Sequence, residues 1–198
     1  NAMATRSYVL RVHQKTQLLA NDGATENFFG NTVALSGDTA LVGAPGANVG
    51  ANAGQGAAYI YVRNGAAWTQ QAKLLANDGA AGDGFGNAVA LSGDTALVGA
   101  FANDTGANTD QGAAYVFVRN GTNWTQQAKL TASDGAATDT FGSGVALSGD
   151  TALIGAYNAT VGANLSQGAA YIFVRSGTNW TQQQKLTAND GAAEDFYG

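Results

Sequence analysis

The chain of 198 residues contains no cysteine, one histidine and little charge. Without cysteine it can form neither a disulfide bond nor a thiolate metal site. Charged residues make up 12% of the sequence, and 9 Lys and Arg stand against 14 Asp and Glu, for a net charge of −5. Nucleic acids and acidic membranes are bound mainly through clustered Lys and Arg, so the composition argues against both as partners.

Long apolar runs are also missing. Residues 33–35, for example, are followed at once by Ser-Gly-Asp, whereas a membrane-spanning helix needs about 20 successive apolar residues. The segment Asn1-Ala2-Met3 resembles the remnant of a cleaved purification tag, so we place residues 1–4 outside the fold.

What the sequence has in abundance is repetition. A block that begins with Phe-Gly starts at Phe29, Phe85 and Phe141, with a period of 56 residues, and Tyr197 opens a further copy. Such a period is typical of repeat architectures, in which each unit hides its apolar faces against its neighbours. We therefore divide the chain into a lone outer strand, three repeats and the start of a fourth repeat, at residues 5–20, 21–76, 77–132, 133–188 and 189–198.

Each repeat contains four predicted strands, which in the first repeat are residues 33–35, 39–43, 57–63 and 68–75. Ser36-Gly37-Asp38 favours a tight hairpin turn between the first and second strands. Arg63-Asn64-Gly65 favours another between the third and fourth strands. The first two strands are uninterrupted runs of apolar residues, which predicts that both of their faces are covered. The fourth strand carries Thr, Gln and Lys instead.

A gradient from a buried first strand to a polar fourth strand is typical of a β-propeller blade, a four-stranded sheet that stands radially between two neighbours. The predicted fold is therefore all-β, with three full blades of four antiparallel strands and an extra N-terminal outer strand. Within it, Trp68, Tyr59 and Tyr61 are expected to fill the gap between blades towards the rim. Gly30, Gly43 and Gly56 are expected where blades approach closely or the backbone turns sharply.

The stretch Phe29-Gly30 … Gly43-Ala44-Pro45 resembles the FG-GAP repeat of integrin α-subunit propellers. The fuller pattern, with Tyr-x-Phe-Val-Arg and Trp-Thr-Gln-Gln, is more similar to a bacterial branch of that family, which occurs in tandem in large surface or secreted proteins. The resemblance extends from about residue 18 to residue 198. It implies a propeller fold and a location at the bacterial surface or outside the cell.

The resemblance does not extend to a calcium loop. Integrin-type repeats often carry Asp-x-Asp-x-Asp-Gly between the first two strands, whereas this chain has Ser-Gly-Asp there, ending in Asp38, Asp94 and Asp150. A Ca²⁺ ion takes about six to eight oxygen ligands, and one carboxylate in a tight turn does not supply them. We therefore expect no calcium site in these turns and no cofactor in the chain.

Acidic residues recur in the loop that leads into each Phe-Gly pair. They are Asp78 with Asp83, Asp134 with Asp139, Asp190 with Asp195, and in the first copy Asp22 with Asn27. We expect each to close a turn and tie the incoming chain to backbone amides. The alternative is a Ca²⁺ ion held by the loop oxygens.

A single Arg recurs near the end of each third strand, at positions 63, 119 and 175. These arginines are too sparse for a nucleic-acid stripe, and each is expected to support the hairpin or contact the next blade.

The sequence offers little for catalysis. His13 is the only imidazole, so a Ser-His-Asp triad or a histidine metal site would have to include it. A carboxylate pair for glycoside cleavage is conceivable, but nothing distinguishes the loop acids from turn residues. We expect no enzymatic activity.

The loop after the second strand varies while the strands do not. It begins Pro-Gly-Ala-Asn, Phe-Ala-Asn-Asp and Tyr-Asn-Ala-Thr in the three repeats. This loop is expected on the same face as the inter-blade loop, because both follow even-numbered strands. A constant scaffold beneath a varied loop face is typical of binding sites, and drift in a permissive loop is the alternative. The candidate ligand-binding residues are Pro45, Asn48, Phe101, Asn103, Asp104, Tyr157 and Asn158.

Three blades do not close a ring, because propellers typically need about four to eight. We therefore expect the chain either to belong to a longer array or to associate head to tail with a second copy. The preferred function is a non-enzymatic segment of a bacterial surface protein that binds a protein or a glycan. The alternatives are a structural spacer and the scaffold of a larger secreted hydrolase.

Overall fold

The computed structural model describes residues 17–198, which form twelve β-strands and no helix. The predicted tag remnant, His13 and all but the last residues of the predicted outer strand lie outside the described residues. The strands form three separate antiparallel sheets of four, each in the order of the chain. This confirms the predicted all-β fold of three four-stranded blades, which form an open array.

The three blades have nearly the same strand bounds. Blade 1 consists of β1 (Val33–Ser36), β2 (Thr39–Ala44), β3 (Ala57–Asn64) and β4 (Ala67–Leu74). Blade 2 consists of β5 (Val89–Ser92), β6 (Thr95–Ala100), β7 (Ala113–Asn120) and β8 (Asn123–Leu130). Blade 3 consists of β9 (Phe141–Ser148), β10 (Thr151–Ala156), β11 (Ala169–Ser176) and β12 (Asn179–Leu186).

The core lies between blades. One cluster joins Leu41 and Ile60 of blade 1 to Val98 and Tyr115 of blade 2, and a second joins blades 2 and 3 in the same way. The phenylalanine of each Phe-Gly pair is inserted there: the Phe85 ring makes an edge contact with Tyr115 at 5.6 Å between ring centres. The prediction that the tyrosines and tryptophan of a repeat fill the gap between blades is met by Tyr115, Phe117 and Trp124, which lie in the cluster between blades 1 and 2. Their equivalents Tyr59, Tyr61 and Trp68 pack together at the start of the array, where the described residues place no second blade beside them.

Glycine is required where blades approach most closely. A Cβ on Gly43 would lie 2.0 Å from the carbonyl oxygen of Gly86, and one on Gly99 would lie 2.0 Å from that of Gly142. The second strand of one blade therefore contacts the backbone of the next Phe-Gly pair directly. This is the close approach that the recurring Gly predicted.

A β-bulge helps to link neighbouring blades at the rim. In blade 1, Ile60 pairs with Ala72 and Tyr61 with Gln70, so Gln71 is left without a partner in the ladder. The Oε1 atom of Gln71 accepts a hydrogen bond of 3.0 Å from the indole of Trp124 in blade 2. The same bond joins Trp180 to Gln127 between blades 2 and 3. The bulge thus directs a polar side chain towards the next blade.

One prediction about burial is wrong. The first strand of each blade was expected to be covered on both faces, but Val33 and Leu35 of β1 are 69% and 67% exposed. Burial instead reaches its maximum in the second strand, where every residue of β2 and β6 is buried. The first strand is the inner edge of its sheet, and among residues 17–198 no blade lies before blade 1 to cover it.

No helix among the described residues has the length and apolar character needed to cross a membrane.

Candidate functional site: the loop face

Two sets of loops meet on one face of the array, and we call this the loop face. It comprises the loops after β2, β6 and β10 (residues 45–56, 101–112 and 157–168) and the segments that lead into each Phe-Gly pair (residues 19–28, 75–84, 131–140 and 187–196). Gly56 forms a parallel bridge with Phe85, and the same bridge recurs from Gly112 to Phe141. This confirms the predicted placement of both loop types on one face.

Backbone hydrogen bonds join each loop to the segment beside it. The amide of Gly82 donates to Ala53 O at 2.9 Å, and the amide of Phe85 donates to Gln55 O at 2.9 Å. The amide of Phe141 makes the equivalent bond to Gln111 O at 2.8 Å. The loop face therefore has a regular backbone from one blade to the next, which fixes the places from which its side chains project.

A buried amide cluster supports each loop from below, and the sequence analysis assigned it no role. The Nδ2 group of Asn52 donates to Gln55 Oε1 at 2.9 Å and to Gly79 O at 3.1 Å, and Gln55 is buried. The cluster recurs at Asn108 and Asn164. The available signal was the exact recurrence of Asn and Gln at the period of the repeat, although polar residues in a loop are usually read as solvated.

The candidate residues that start each loop are accessible. Pro45, Phe101 and Tyr157 occupy equivalent positions one period apart, and each is partly exposed, as is Asn158. The Phe101 ring lies over Gly84, because a Cβ on that glycine would come within 2.8 Å of the ring. The loop face thus presents a different side chain at the same place in each blade.

Two candidates combine exposure with a role in loop closure. Asn48 and Asp104 are exposed and occupy equivalent positions in the first two loops. The Oδ1 atom of Asn48 accepts a 2.9 Å hydrogen bond from the amide of Gly54, and Oδ1 of Asp104 accepts one of 2.9 Å from Asp110. Each therefore holds its loop together with one side-chain oxygen and leaves the rest of the polar group at the surface.

Asn103 differs from the other candidates because it is buried, with 3% exposure. Its Nδ2 group donates to Oδ2 of Asp83 at 2.9 Å. Alanine occupies the equivalent position in the other two blades, at Ala47 and Ala159. The structure therefore places Asn103 beneath the loop face, where it supports the loop of blade 2 and does not reach a surface ligand.

The acidic residues that lead into Phe85 and Phe141 have protein partners. Asp83 and Asp139 accept hydrogen bonds from the amides of Ala80 and Ala136, at 2.9 and 2.8 Å. This confirms the predicted contact with backbone amides for these two. Burial raises the pKa of Asp139, although the backbone hydrogen bond opposes the shift. Residues 17–198 contain no group of three or more His, Cys, Asp or Glu placed to hold a metal ion.

Asp78 makes a different set of contacts. Its two oxygens accept hydrogen bonds from the hydroxyl of Tyr115 at 2.9 Å and from Lys129 Nζ at 2.6 Å. Burial opposes ionisation of Asp78, but these two donors outweigh it and lower the pKa of the carboxyl. The same donors are found at Asp22, where the hydrogen bond from Lys73 is the largest cause of a lowered pKa. Asp22 and Asp78 therefore tie the incoming segment to the third and fourth strands of the blade that follows it.

The repeated Arg is confirmed as a hairpin and inter-blade residue. The Nε group of Arg119 donates to Asp94 Oδ1 at 2.6 Å in the hairpin between β5 and β6. Its Nη1 group donates to Thr39 Oγ1 of blade 1 at 3.2 Å. The guanidinium also lies over the Trp124 ring, 5.4 Å from its centre. Arg119 lies on the opposite edge of the blades from the loop face.

Two similar clefts of about 400 and 420 Å³ lie at the rim, lined by Trp68, Thr69 and Gln70 in one and Trp124, Thr125 and Gln126 in the other. Their polar groups already make hydrogen bonds within a repeat and between blades. Gln126 Oε1 accepts a hydrogen bond from the amide of Asn77, and the Trp124 indole donates to Gln71. The rim clefts are therefore packing features of the repeat, and the loop face is the stronger candidate site.

Left-handed backbone conformations are concentrated on the loop face. Phe28 and Thr140 have φ of 53° and 58°, at a position where blade 2 has Gly84. A side chain in this region costs about 1–2 kcal/mol relative to an ordinary conformation, and glycine avoids that cost. Phe28 and Thr140 therefore carry a backbone cost that glycine at the same position avoids.

A family model for the FG-GAP repeat matches residues 12–61, 68–117, 124–173 and 180–198. No match to a curated protein was found.

Proposed function

Since this chain belongs to the FG-GAP repeat family, we propose that it is a non-enzymatic propeller segment that binds a protein or a glycan through its loop face. The observation that carries the proposal is the contrast between a constant scaffold and a varied surface. The backbone bridges and buried amide clusters are the same in all three blades. The accessible residue above them changes from Pro45 to Phe101 to Tyr157.

The chemistry of these residues suits a binding surface. Aromatic side chains are enriched in recognition interfaces because they bury a large area with few rotatable bonds. Asn48, Asp104 and Asn158 add polar groups beside the two rings. A rigid backbone below them lowers the entropy lost on binding. We further propose that the chain acts at the bacterial surface or after secretion, as its resemblance to tandem surface repeats implies.

The test measures capture of the chain by a glycan array and by immobilised fibrinogen and collagen. The double variant Phe101→Ala/Tyr157→Ala is expected to lose at least tenfold in affinity while its thermal unfolding stays close to that of the parent chain. The matched control is Thr122→Ala/Thr178→Ala, which removes exposed side chains from hairpins on the opposite edge of blades 2 and 3.

Capture that is unchanged in the double variant would contradict the proposal and leave the structural spacer as the function of the chain. Absence of capture of the parent chain by every immobilised probe would also count against it. An equal loss in the Thr control would show that binding does not depend on the loop face.

A further inference from the structure

The two end faces of the array carry matching halves of one blade joint. We define the leading face as the side of blade 1 that carries Val33 and Leu35, and the trailing face as the side of blade 3 that carries Leu153. Val33, Leu35 and Leu153 are 69%, 67% and 40% exposed. In the interior the residues equivalent to Leu35 and Leu153 are Leu91 and Leu41, which are buried in one cluster where blades 1 and 2 meet.

The polar contacts of the interior joints are incomplete at both ends. Arg119 and Arg175 each donate to a threonine of the preceding blade, Thr39 and Thr95, which are buried. Among residues 17–198, Arg63 bonds only Asp38, and its side chain is 49% exposed, against 23% and 18% for the other two arginines. The equivalent threonine at the other end, Thr151, is exposed. Arg63 and Thr151 are thus the donor and acceptor of one more such bond.

The segments at the two ends also share features that the interior segments lack. Residues 20–30 and 188–198 both contain Glu and then Phe before the aromatic-Gly pair, at Glu26 and Phe28 and at Glu194 and Phe196. The interior segments have Gly or Thr at these positions. The left-handed backbone is common to the interior segments, where Thr138 and Thr140 have φ of 66° and 58°, so the feature peculiar to the two ends is the pair of side chains. The end segments, three periods apart, are therefore versions of one joint.

Each end shows one half of that joint. At the leading end the Phe28 ring lies against the loop of the blade that follows it, since a Cβ on Gly46 would come within 2.6 Å of Phe28 Cδ2. At the trailing end the Phe196 ring lies 6.2 Å from the Tyr157 ring of the blade that precedes it. Because the two segments are equivalent, a single phenylalanine ring at this position would contact Tyr157 of one blade and Gly46 of the next.

From these matches we propose that a second copy of this chain docks head to tail, with its leading face on the trailing face of the first. In the joint, Phe28 of the second copy takes the place of Phe196, next to Tyr157 of the first copy. Arg63 of the second copy donates to Thr151, and Leu35 is buried with Leu153. Two copies joined at both ends contribute six blades, which lies within the range of about four to eight for closed propellers. The proposal does not depend on ligand binding at the loop face.

The joint contains two surplus segments. Residues 12–18, within the predicted outer strand, are equivalent to residues 180–186 of β12 three periods later, so this part of the second copy would have to stay outside the joint. Residues 187–198 of one copy and residues 19–30 of the next are equivalent and occupy the same position, so one of them has to leave when the copies meet. A chain that ends at Leu186 lacks this competitor. It is expected to associate at least tenfold more tightly than the chain of 198 residues.

The first test is the mass in solution, measured by size-exclusion chromatography with light scattering over a range of concentrations. We expect twice the 19.9 kDa chain mass at high concentration for the parent chain, and at lower concentration for the chain that ends at Leu186. Leu35→Lys should leave a folded monomer, because Leu35 is exposed in the single chain. The control Thr122→Lys places the same charge on an exposed hairpin of blade 2 and should leave association unchanged.

The second test exploits the absence of cysteine in the chain. Phe28→Cys and Tyr157→Cys are prepared as separate variants, mixed, and treated with a short bismaleimide. Cross-linked dimer is expected from the mixture and not from either variant alone, because the two positions meet only across the joint.

A parent chain that stays monomeric at high concentration would overturn the proposal and indicate that the end faces are covered by further blades of a longer chain. Equal cross-linking in the mixture and in the single variants, or association that Leu35→Lys does not weaken, would overturn it as well.

Discussion

The joints inside the array and the faces at its ends are built from equivalent residues, yet they differ in almost every measure of burial. Leu91 is 9% exposed between blades 1 and 2, whereas its equivalent Leu35 is 67% exposed at the leading face. Thr39 is buried and accepts a bond from Arg119, whereas its equivalent Thr151 is exposed. A blade residue therefore contributes to stability mainly through the neighbouring blade that it contacts and only weakly through its own sheet.

The largest effect is expected where the backbones of two blades touch. Gly99→Ala places a Cβ 2.0 Å from Gly142 O inside the array, and we expect a loss of about 3 kcal/mol or more in the free energy of unfolding. Gly155→Ala meets Gly198 O at 2.3 Å in the terminal segment, which can move away at low cost. Urea denaturation of both variants measures the difference. Equal losses would contradict the distinction between joint and end.

The next effect compares two leucines at equivalent positions. Leu91→Ala removes a buried side chain from the joint between blades 1 and 2, and the expected loss is about 2–3 kcal/mol. Leu35→Ala at the leading face should change the stability by about 0.5 kcal/mol or less. The measurement is urea unfolding at a chain concentration below that of any self-association. A large loss from Leu35→Ala in the single chain would show that the leading face is already covered.

A smaller effect is expected from the threonines that face the repeated Arg. Thr39→Val removes the acceptor of the Arg119 bond across the joint, and we expect it to cost about 1 kcal/mol. Thr151→Val should not change the stability of the single chain, because Thr151 is exposed. Thermal unfolding of the two variants in parallel gives the comparison. If Thr151→Val weakens self-association at high concentration, Thr151 takes part in the proposed head-to-tail joint.

The smallest effect should be the same at the joints and at the leading end. Asp22 and Asp78 each accept a hydrogen bond from a Lys, and the pKa of both carboxyls is lowered in the folded chain. A lowered pKa contributes stability above the unfolded value, near pH 4, and that stability is lost as the pH falls through the folded pKa. Because these carboxyls are about half exposed, each pair should contribute no more than about 1 kcal/mol.

Unfolding of the parent chain, Asp22→Asn and Asp78→Asn between pH 7 and pH 2 measures this contribution. Each variant should lose part of the acid dependence, and by a similar amount. A much larger loss of acid dependence in Asp78→Asn than in Asp22→Asn would contradict this expectation, because the two carboxyls are equally exposed.

Strand number, strand order and the face occupied by the loops could be predicted from the sequence because each depends on a local signal repeated three times. Ser-Gly-Asp marks the first hairpin of every repeat, and the second is marked by Asn-Gly in two repeats and by Ser-Gly in the third. Two hairpins per period require four strands. The supporting role of Asn52 and Gln55 could not be read from the sequence in the same way. An amide in a glycine-rich loop has no pattern that separates burial from exposure, and its partner Gly79 lies in the next repeat.

The candidate site was predictable in outline and less so in detail. The variation among Pro45, Phe101 and Tyr157 identified the accessible start of each loop, because equivalent positions in a repeat share one location. Asn103 was included on the same grounds but is buried against Asp83. That contact joins two segments of one blade that are distant in the chain, and no periodicity reports it.

The blade follows from local sequence: the period sets its length, the glycines and hairpin turns set its four strands, and the apolar runs set the strands that pack between neighbours. Which of these equivalent residues are buried depends on the tertiary structure. Burial depends on whether another blade lies against the face, and every copy of the repeat carries the same residues whether a neighbour is present or not. Leu35 and Leu91 are identical in sequence context and differ only in what lies beside them.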